Sequence, residues 1–131
     1  MNRIKQAQGS RNRGATPREL ARYFAMKLAA EWGPYNLKAR LDDPAYFVLD
    51  VRSQEGYREG HIPGAYHIPL DELPLRLKEV PKAKTIVAYC GNVTCLLCTK
   101  AAHLLASKGY RVRELVGGIA EWQAAGFPVE H

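Results

Sequence analysis

The sequence lacks any long uncharged apolar run, although 47% of its 131 residues are hydrophobic, so no membrane-spanning helix is expected. Its N-terminus also lacks the charged, apolar and small-residue zones of an export signal, and the expected location is the cytoplasm. Cysteine is scarce as well: Cys90, Cys95 and Cys98 are the only three, and they fall within nine positions. So tight a cluster cannot staple distant parts of a small secreted fold. Cys95 and Cys98 have the C-x-x-C spacing that suits zinc, but a second pair is missing and only His103 follows, so no structural metal is expected. What remains is thiol chemistry in a reducing compartment.

Acidic residues are nearly absent from the first 22 positions, which hold Arg3, Lys5, Arg11, Arg13, Arg18 and Arg22 against Glu19 alone. That stretch carries five of the six net positive charges, and the remainder is nearly neutral. It has no aromatic residue, so the charge points to a solvated, flexible tail over residues 1–15 rather than an arm for nucleic acid. Its amphipathicity is also too poor for an organelle transit helix. Residues 16–131 are expected to form a single domain around one core, with a helical extension over 16–44 and the core proper over 45–131.

Thr16, Pro17 and Glu19 take the N-cap, first and third positions of an expected helix whose apolar face carries Leu20, Tyr23, Phe24 and Leu28. Gly33-Pro34 ends it, and a short second helix is expected over residues 35–41. Tyr46 to Val51 is a β-rich apolar run, expected as a buried strand with its functional end at Asp50-Val51-Arg52. A helix-like stretch from Ser53 to Gly60, a rigid His61-Ile62-Pro63-Gly64 turn and a brief strand from Ala65 to Ile68 follow. The spacing then predicts an amphipathic helix over residues 71–80 and a second buried strand, Thr85 to Tyr89, that runs into Cys90. A helix from Leu96 to Ser107, a strand from Arg111 to Val116 and a last helix opened by Gly117-Gly118 complete the pattern. Strands alternating with helices are joined by right-handed crossovers, so the fold class is α/β, a layered sheet with reactive groups beyond the carboxyl ends of its strands. Cys90 sits at such an end.

Four stretches in order carry a resemblance: FVLDVRSQEGYREGHIPGAYHIP, TIVAYC, TKAAHLLASKGYRVRELVGGIAEW and AAGFPVE, together spanning Phe47 to Glu130. Their order and spacing around a strand-borne cysteine resemble the rhodanese homology domain. The resemblance implies a rhodanese-like three-layer fold, with a central, mostly parallel sheet of about five strands and helices on both faces. It also implies a sulfurtransferase in which Cys90 is the nucleophile and carries sulfur as a persulfide. The implied active-site loop is Gly91, Asn92, Val93, Thr94, Cys95 and Leu96, which curls its N–H groups around the sulfur ahead of a helix N-terminus. Both features favour the thiolate. Asp50 and Arg52 are implied to form a supporting brace, with Arg52 also able to attract an anionic donor. The implied partners are a small sulfur donor, thiosulfate or a persulfide, and a thiol or protein acceptor, without metal or organic cofactor.

The loop departs from the family's common pattern, which has an arginine five residues after the cysteine and then a serine; Cys95 and Leu96 stand there instead. Cys95 is therefore a resolving thiol, a sulfur relay or a small residue in place of arginine, whereas Cys98 is expected to pack. His61, His67, Gly117-Gly118 and Trp122 are assigned structural roles. Three other functions compete with sulfur transfer: a non-catalytic module that docks a partner protein, a Cys90/Cys95 thiol redox protein, and a phosphatase or arsenate reductase. The last fits worst, because those relatives clamp a tetrahedral dianion with C-x-x-x-x-x-R and Leu96 occupies the arginine position.

Overall fold

The structure is a computed structural model that describes residues 14–131, so most of the basic tail expected over 1–15 lies outside the described residues. Helix α1, Pro17–Ala30, starts where the sequence places it: the Thr16 hydroxyl accepts the Glu19 N–H at 3.2 Å, and the Glu19 carboxylate accepts the Thr16 N–H at 2.8 Å. This reciprocal box satisfies two donors that a helix start leaves free. The helix ends sooner than Gly33-Pro34 signals. Glu31–Trp32 forms strand β1 instead, because a sheet edge offers it partners: Glu31 is in register with Glu114 and Trp32 with Leu115. Trp32 also packs against the Tyr46 ring, 4.8 Å between centroids, and lies under the Arg113 guanidinium at 4.9 Å. Tertiary contacts here outweigh local helix propensity.

Helix α2 (Pro34–Ala39), strand β2 (Tyr46–Asp50), helix α3 (Gln54–Glu59) and strand β3 (Tyr66–His67) follow. The helix expected over residues 71–80 is absent. That stretch forms two 3-10 segments, Leu70–Leu75 and Leu77–Glu79. Pro74 is the reason: it has no N–H to donate and its ring clashes with the carbonyl of the preceding turn, so an α-helical ladder cannot run through it. Strand β4 (Thr85–Tyr89), helix α4 (Leu97–Ser107), strand β5 (Arg111–Leu115) and helix α5 (Gly118–Ala124) complete the fold.

The strands lie in the order β1-β5-β4-β2-β3, and every pairing in the sheet is parallel. Alternation of side chains along the strands divides the core in two. Leu49, Ile86, Ala88 and Cys90 belong to a cluster with Leu73, Ala101 and Leu105, which puts α4 and the first 3-10 segment on one face. Val48, Val87, Tyr89 and Leu115 cluster with Leu37, Ile119 and Trp122, which puts α2 and α5 on the other. Helix α1 belongs to neither layer, and none of its residues is buried. No helix among the described residues is long and apolar enough to cross a membrane.

From β2 the chain runs outward to β3, whereas from β4 it runs to β5 on the opposite side. The loops beyond the carboxyl ends of β2 and β4 therefore diverge, and such a switch point is where an open parallel sheet forms a crevice. Cys90 follows β4 at that place.

Leu105 is fully buried against the sheet face that carries Cys90. Replacing it with alanine should cost about 2–5 kcal/mol through lost burial and a residual cavity. The expected readout is a lower denaturation midpoint with an unchanged slope; no shift in the midpoint would contradict this packing.

Candidate active site

The backbone around Cys90 is fixed from two sides. The Val51 N–H donates to the Tyr89 carbonyl at 3.2 Å, which ties the end of β4 to β2. The Ile119 N–H donates to the Cys90 carbonyl and the Ala120 N–H to the Gly91 carbonyl, both at 3.0 Å. These are donors that the start of α5 leaves free, so this helix clamps the chain at the sulfur-bearing residue. The close approach requires glycine. Gly118 has φ +56°, and a Cβ there would collide with the Cys90 carbonyl.

Asp50 and Arg52 meet as a brace at the end of β2. The fully buried Asp50 carboxylate accepts the Arg52 N–H at 2.9 Å, its Nη2 at 2.7 Å and the Tyr89 hydroxyl at 2.6 Å. A buried carboxylate needs such company. Arg52 Nη2 also donates to the Gly60 carbonyl at 2.8 Å, and the Tyr89 oxygen accepts the Ile62 N–H at 3.1 Å. Burial, reinforced by the charge of Asp50, pushes the Tyr89 phenol well above its usual range, so it stays a donor. Tyr89 and Cys90 are consecutive and belong to opposite core clusters. The brace thus anchors the residue before the sulfur from the far face of the sheet, with the Arg52 guanidinium committed to Asp50 and Gly60 rather than turned to a donor. His67 adds a contact to the Arg52 main chain at 2.8 Å, and Tyr57 stacks on both His61 and His67.

Two of the loop's amides are turned to Asn92 rather than to the sulfur. Asn92 folds the loop tip into a side-chain turn: the Thr94 N–H donates to Asn92 Oδ1 at 3.0 Å and the Cys95 N–H to the Asn92 carbonyl at 3.1 Å. The groups that favour a Cys90 anion are the thiols of Cys98 and Cys95 and the N–H groups of Cys98 and, within the loop, of Gly91. A neutral Cys90 thiol finds the Cys95 carbonyl as acceptor, at 3.5 Å. The anion is the better-served form. The Cys98 thiol is the largest influence; burial opposes it, and the Cys95 thiol and the two N–H groups assist, pulling Cys90 down to about 5.

Cys98 shifts the opposite way. Its hydrogen bond to Cys90, then burial, then the charges of Cys90 and Glu114 push it far above the usual thiol range. Glu114 Oε2 lies 3.4 Å from Cys98 Sγ and also accepts the Thr99 hydroxyl. Negative charge is therefore favoured on Cys90 and the proton on Cys98, whose Sγ lies beside the Glu114 carboxylate. Expected only to pack, Cys98 is a residue that sequence reasoning missed. Its signal was present: Cys98, Ala101 and Leu105 form the buried stripe of α4, turned toward the sheet face of Cys90. Glu114 had no comparable signal.

A recess of about 200 Å³ lies beside this pair, lined by Cys95, Cys98, Asn92, Gly117, Glu31 and Glu114 among others, with no lysine or arginine. A larger groove of about 490 Å³, lined by Ser53, His67 and Arg76 among others, contains no cysteine. Cys90 itself is 0% exposed, whereas Asn92, Val93 and Thr94 are exposed. In this conformation the sulfur is not in contact with solvent.

Two outcomes are expected. Gly118→Ala should displace the Cys90 carbonyl and slow alkylation of Cys90, whereas Gly126→Ala, at a left-handed glycine whose Cβ meets nothing, should not; equal rates in both would contradict the clamp. Because a lowered thiol pKa keeps the anion at lower pH, Cys90 in the wild type should alkylate on a plateau that falls only near pH 5. In Cys98→Ala that inflection should move up toward the ordinary thiol range, and an unmoved inflection would remove Cys98 from the account.

Comparison with known proteins bears on the family and the fold. A family model for the rhodanese-like domain matches residues 33–125. The HTH-type transcriptional regulator Rv0324 of Mycobacterium tuberculosis is 42% identical over 83 residues, which cover 63% of this chain and 37% of that protein. This chain thus spans well under half of that relative. A sulfurtransferase of Allochromatium vinosum is 34% identical over 96 residues, 72% of this chain and 88% of that one. Among solved structures, the BH2092 protein of Bacillus halodurans matches with a TM-score of 0.81 at 36% identity, over 88% of this chain and 86% of the other. A five-stranded parallel sheet with a cysteine at the end of its central strand, and a family match over most of its length, leave one assignment: the chain belongs to the rhodanese-like domain family.

Proposed function

We propose that this chain is a sulfurtransferase that moves sulfane sulfur through a persulfide on Cys90. The observation that carries this reading is the buried Cys90 sulfur beyond the carboxyl end of the central strand, beside Cys95 and Cys98 in surroundings that favour its anion. The thiolate attacks the outer sulfur of a donor R–S–SH: a bond forms from Cys90 Sγ to that sulfur, the donor's S–S bond breaks, and RS⁻ leaves with the electron pair. An acceptor, a thiol or a protein, then attacks the outer sulfur of Cys90–S–SH, and Cys90 departs as thiolate. The donors that favour the anion also make Cys90 a good leaving group. The similarity to a protein named sulfurtransferase supports transfer of this general kind. Three free thiols suit a reducing compartment, and the cytoplasm is the proposed location.

The charge of the recess narrows the donor. Glu114 lines it, Glu31 at its rim is paired with Lys27 at 2.8 Å, no lysine or arginine is among the lining residues, and Arg52 is held in the brace. A persulfide of low charge suits this field better than the thiosulfate dianion. The same field counts against phosphate or arsenate chemistry, since a tetrahedral dianion needs charge-assisted donors and two loop amides are turned to Asn92. A non-catalytic docking module has no need of an ionised sulfur.

With intact-mass detection, the wild type should take up one sulfur atom faster from cysteine persulfide than from thiosulfate, and Glu114→Gln should narrow the gap by raising the thiosulfate rate. Cys90→Ser should take up none. Sulfur uptake that survives in Cys90→Ser, or thiosulfate that outpaces the persulfide, would contradict the proposal.

A further inference from the structure

We infer that Cys98 is an internal acceptor: its sulfur attacks the inner sulfur of the Cys90 persulfide, closing a Cys90–Cys98 disulfide and releasing hydrosulfide. The inference rests on the persulfide proposed above and gives it a second fate. Cys98 is in place for this. Its side chain belongs to the same buried apolar cluster as Cys90, out of reach of an acceptor in solvent, and sits in the first turn of the helix that follows the Cys90 loop. A partner already held in the same cluster avoids the entropic cost of bringing one in. Cys98 is also the second residue of α4, where the helix N-terminus favours a developing thiolate.

Glu114 supplies the proton acceptor. Its Oε2 lies 3.4 Å from Cys98 Sγ, and its contacts with Cys98 and Thr99 single out Cys98, rather than Cys95, as the thiol with a base beside it. Timing follows from charge. In the resting protein the Cys90 anion holds the proton on Cys98. Persulfide formation moves that charge from Cys90 Sγ to the outer sulfur, which relieves Cys98 at the step where it reacts.

The step balances without an external oxidant: Cys90–S–S⁻ and Cys98–SH give Cys90–S–S–Cys98 and HS⁻. The Cys98–Cys90 bond forms, the bond to the outer sulfur breaks, and the Cys98 proton passes by way of Glu114 to the departing sulfur. The cysteine pair is oxidised by two electrons, and the sulfane sulfur is reduced to sulfide. Two equivalents of a low-molecular-weight thiol then reduce the disulfide and return Cys90 and Cys98, themselves becoming a disulfide.

The test treats the reduced, desalted protein with cysteine persulfide under anaerobic conditions, then follows intact mass, released hydrosulfide and the cross-linked peptides. The wild type should gain one sulfur atom, then lose it with a stoichiometric release of hydrosulfide and a Cys90–Cys98 cross-link. Cys98→Ala and Cys98→Ser should both keep the added sulfur and release none, while Cys95→Ala, slower to take up sulfur for want of one group that favours the Cys90 anion, should still release hydrosulfide and form the Cys90–Cys98 cross-link. A wild type that keeps its sulfur as long as the Cys98 variants do, or a cross-link that runs to Cys95, overturns the inference and leaves the persulfide reading intact. If neither the wild type nor the variants gain sulfur, both readings fall.

Discussion

The site depends on which of two buried sulfurs in one cluster, Cys90 or Cys98, is the better place for negative charge. A thiolate sealed from water carries a large desolvation cost, and only donors in contact with it can offset that cost. Charge-assisted hydrogen bonds contribute about 1.5–3 kcal/mol each, so the outcome depends on how many donors reach Cys90. The loop contributes the Gly91 N–H and the Cys95 thiol, while Asn92 holds two of its other amides. Helix α4 makes up the deficit from its first turn, with the thiol and the N–H of the same residue, Cys98. Glu114 completes the asymmetry by making Cys98 the worse place for a negative charge. The charge state of Cys90 therefore depends on a residue in the first turn of the next element.

The remaining framework holds those two sulfurs in register. Strand β4 delivers Cys90, the Asp50–Arg52–Tyr89 brace fixes the preceding residue from behind, and the start of α5 grips the carbonyl of Cys90 where Gly118 leaves room. A buried ion pair such as Asp50 with Arg52 is weak support for stability in general, because desolvation cancels much of its attraction. Its value here is positional: it ties the ends of β2 and β4 together where the loops diverge. Two thiols in place of a loop cation also change the character of the site, from one built to clamp an anion to one built to exchange sulfur.

Most of the layered fold was legible because its causes are local or periodic. The Thr16 cap, the apolar runs of β2 and β4, and the Gly117-Gly118 start of α5 each carry their own signal. The misses have physical causes. Glu31–Trp32 became a strand through pairing with β5, a partner more than eighty residues away in sequence. The stretch after Pro69 reads as amphipathic, but Pro74 converts it to 3-10 turns. At the site, the resemblance pointed to Cys90 and its loop, and to Asp50 and Arg52 as supports. It could not show that Asn92 would turn the loop amides inward, nor that Glu114 would reach Cys98 across the gap between β5 and α4. Those contacts depend on how the elements pack.

The central claim concerns which sulfur carries the charge, and isotope labelling of the cysteine Cβ carbons reads that directly by NMR across a pH titration of the wild type. The account expects the Cys90 Cβ to resonate as a thiolate and the Cys98 Cβ as a thiol at neutral pH, with Cys90 converting only on acidification toward about pH 5. A Cys90 signal that remains that of a thiol through neutral pH would contradict it.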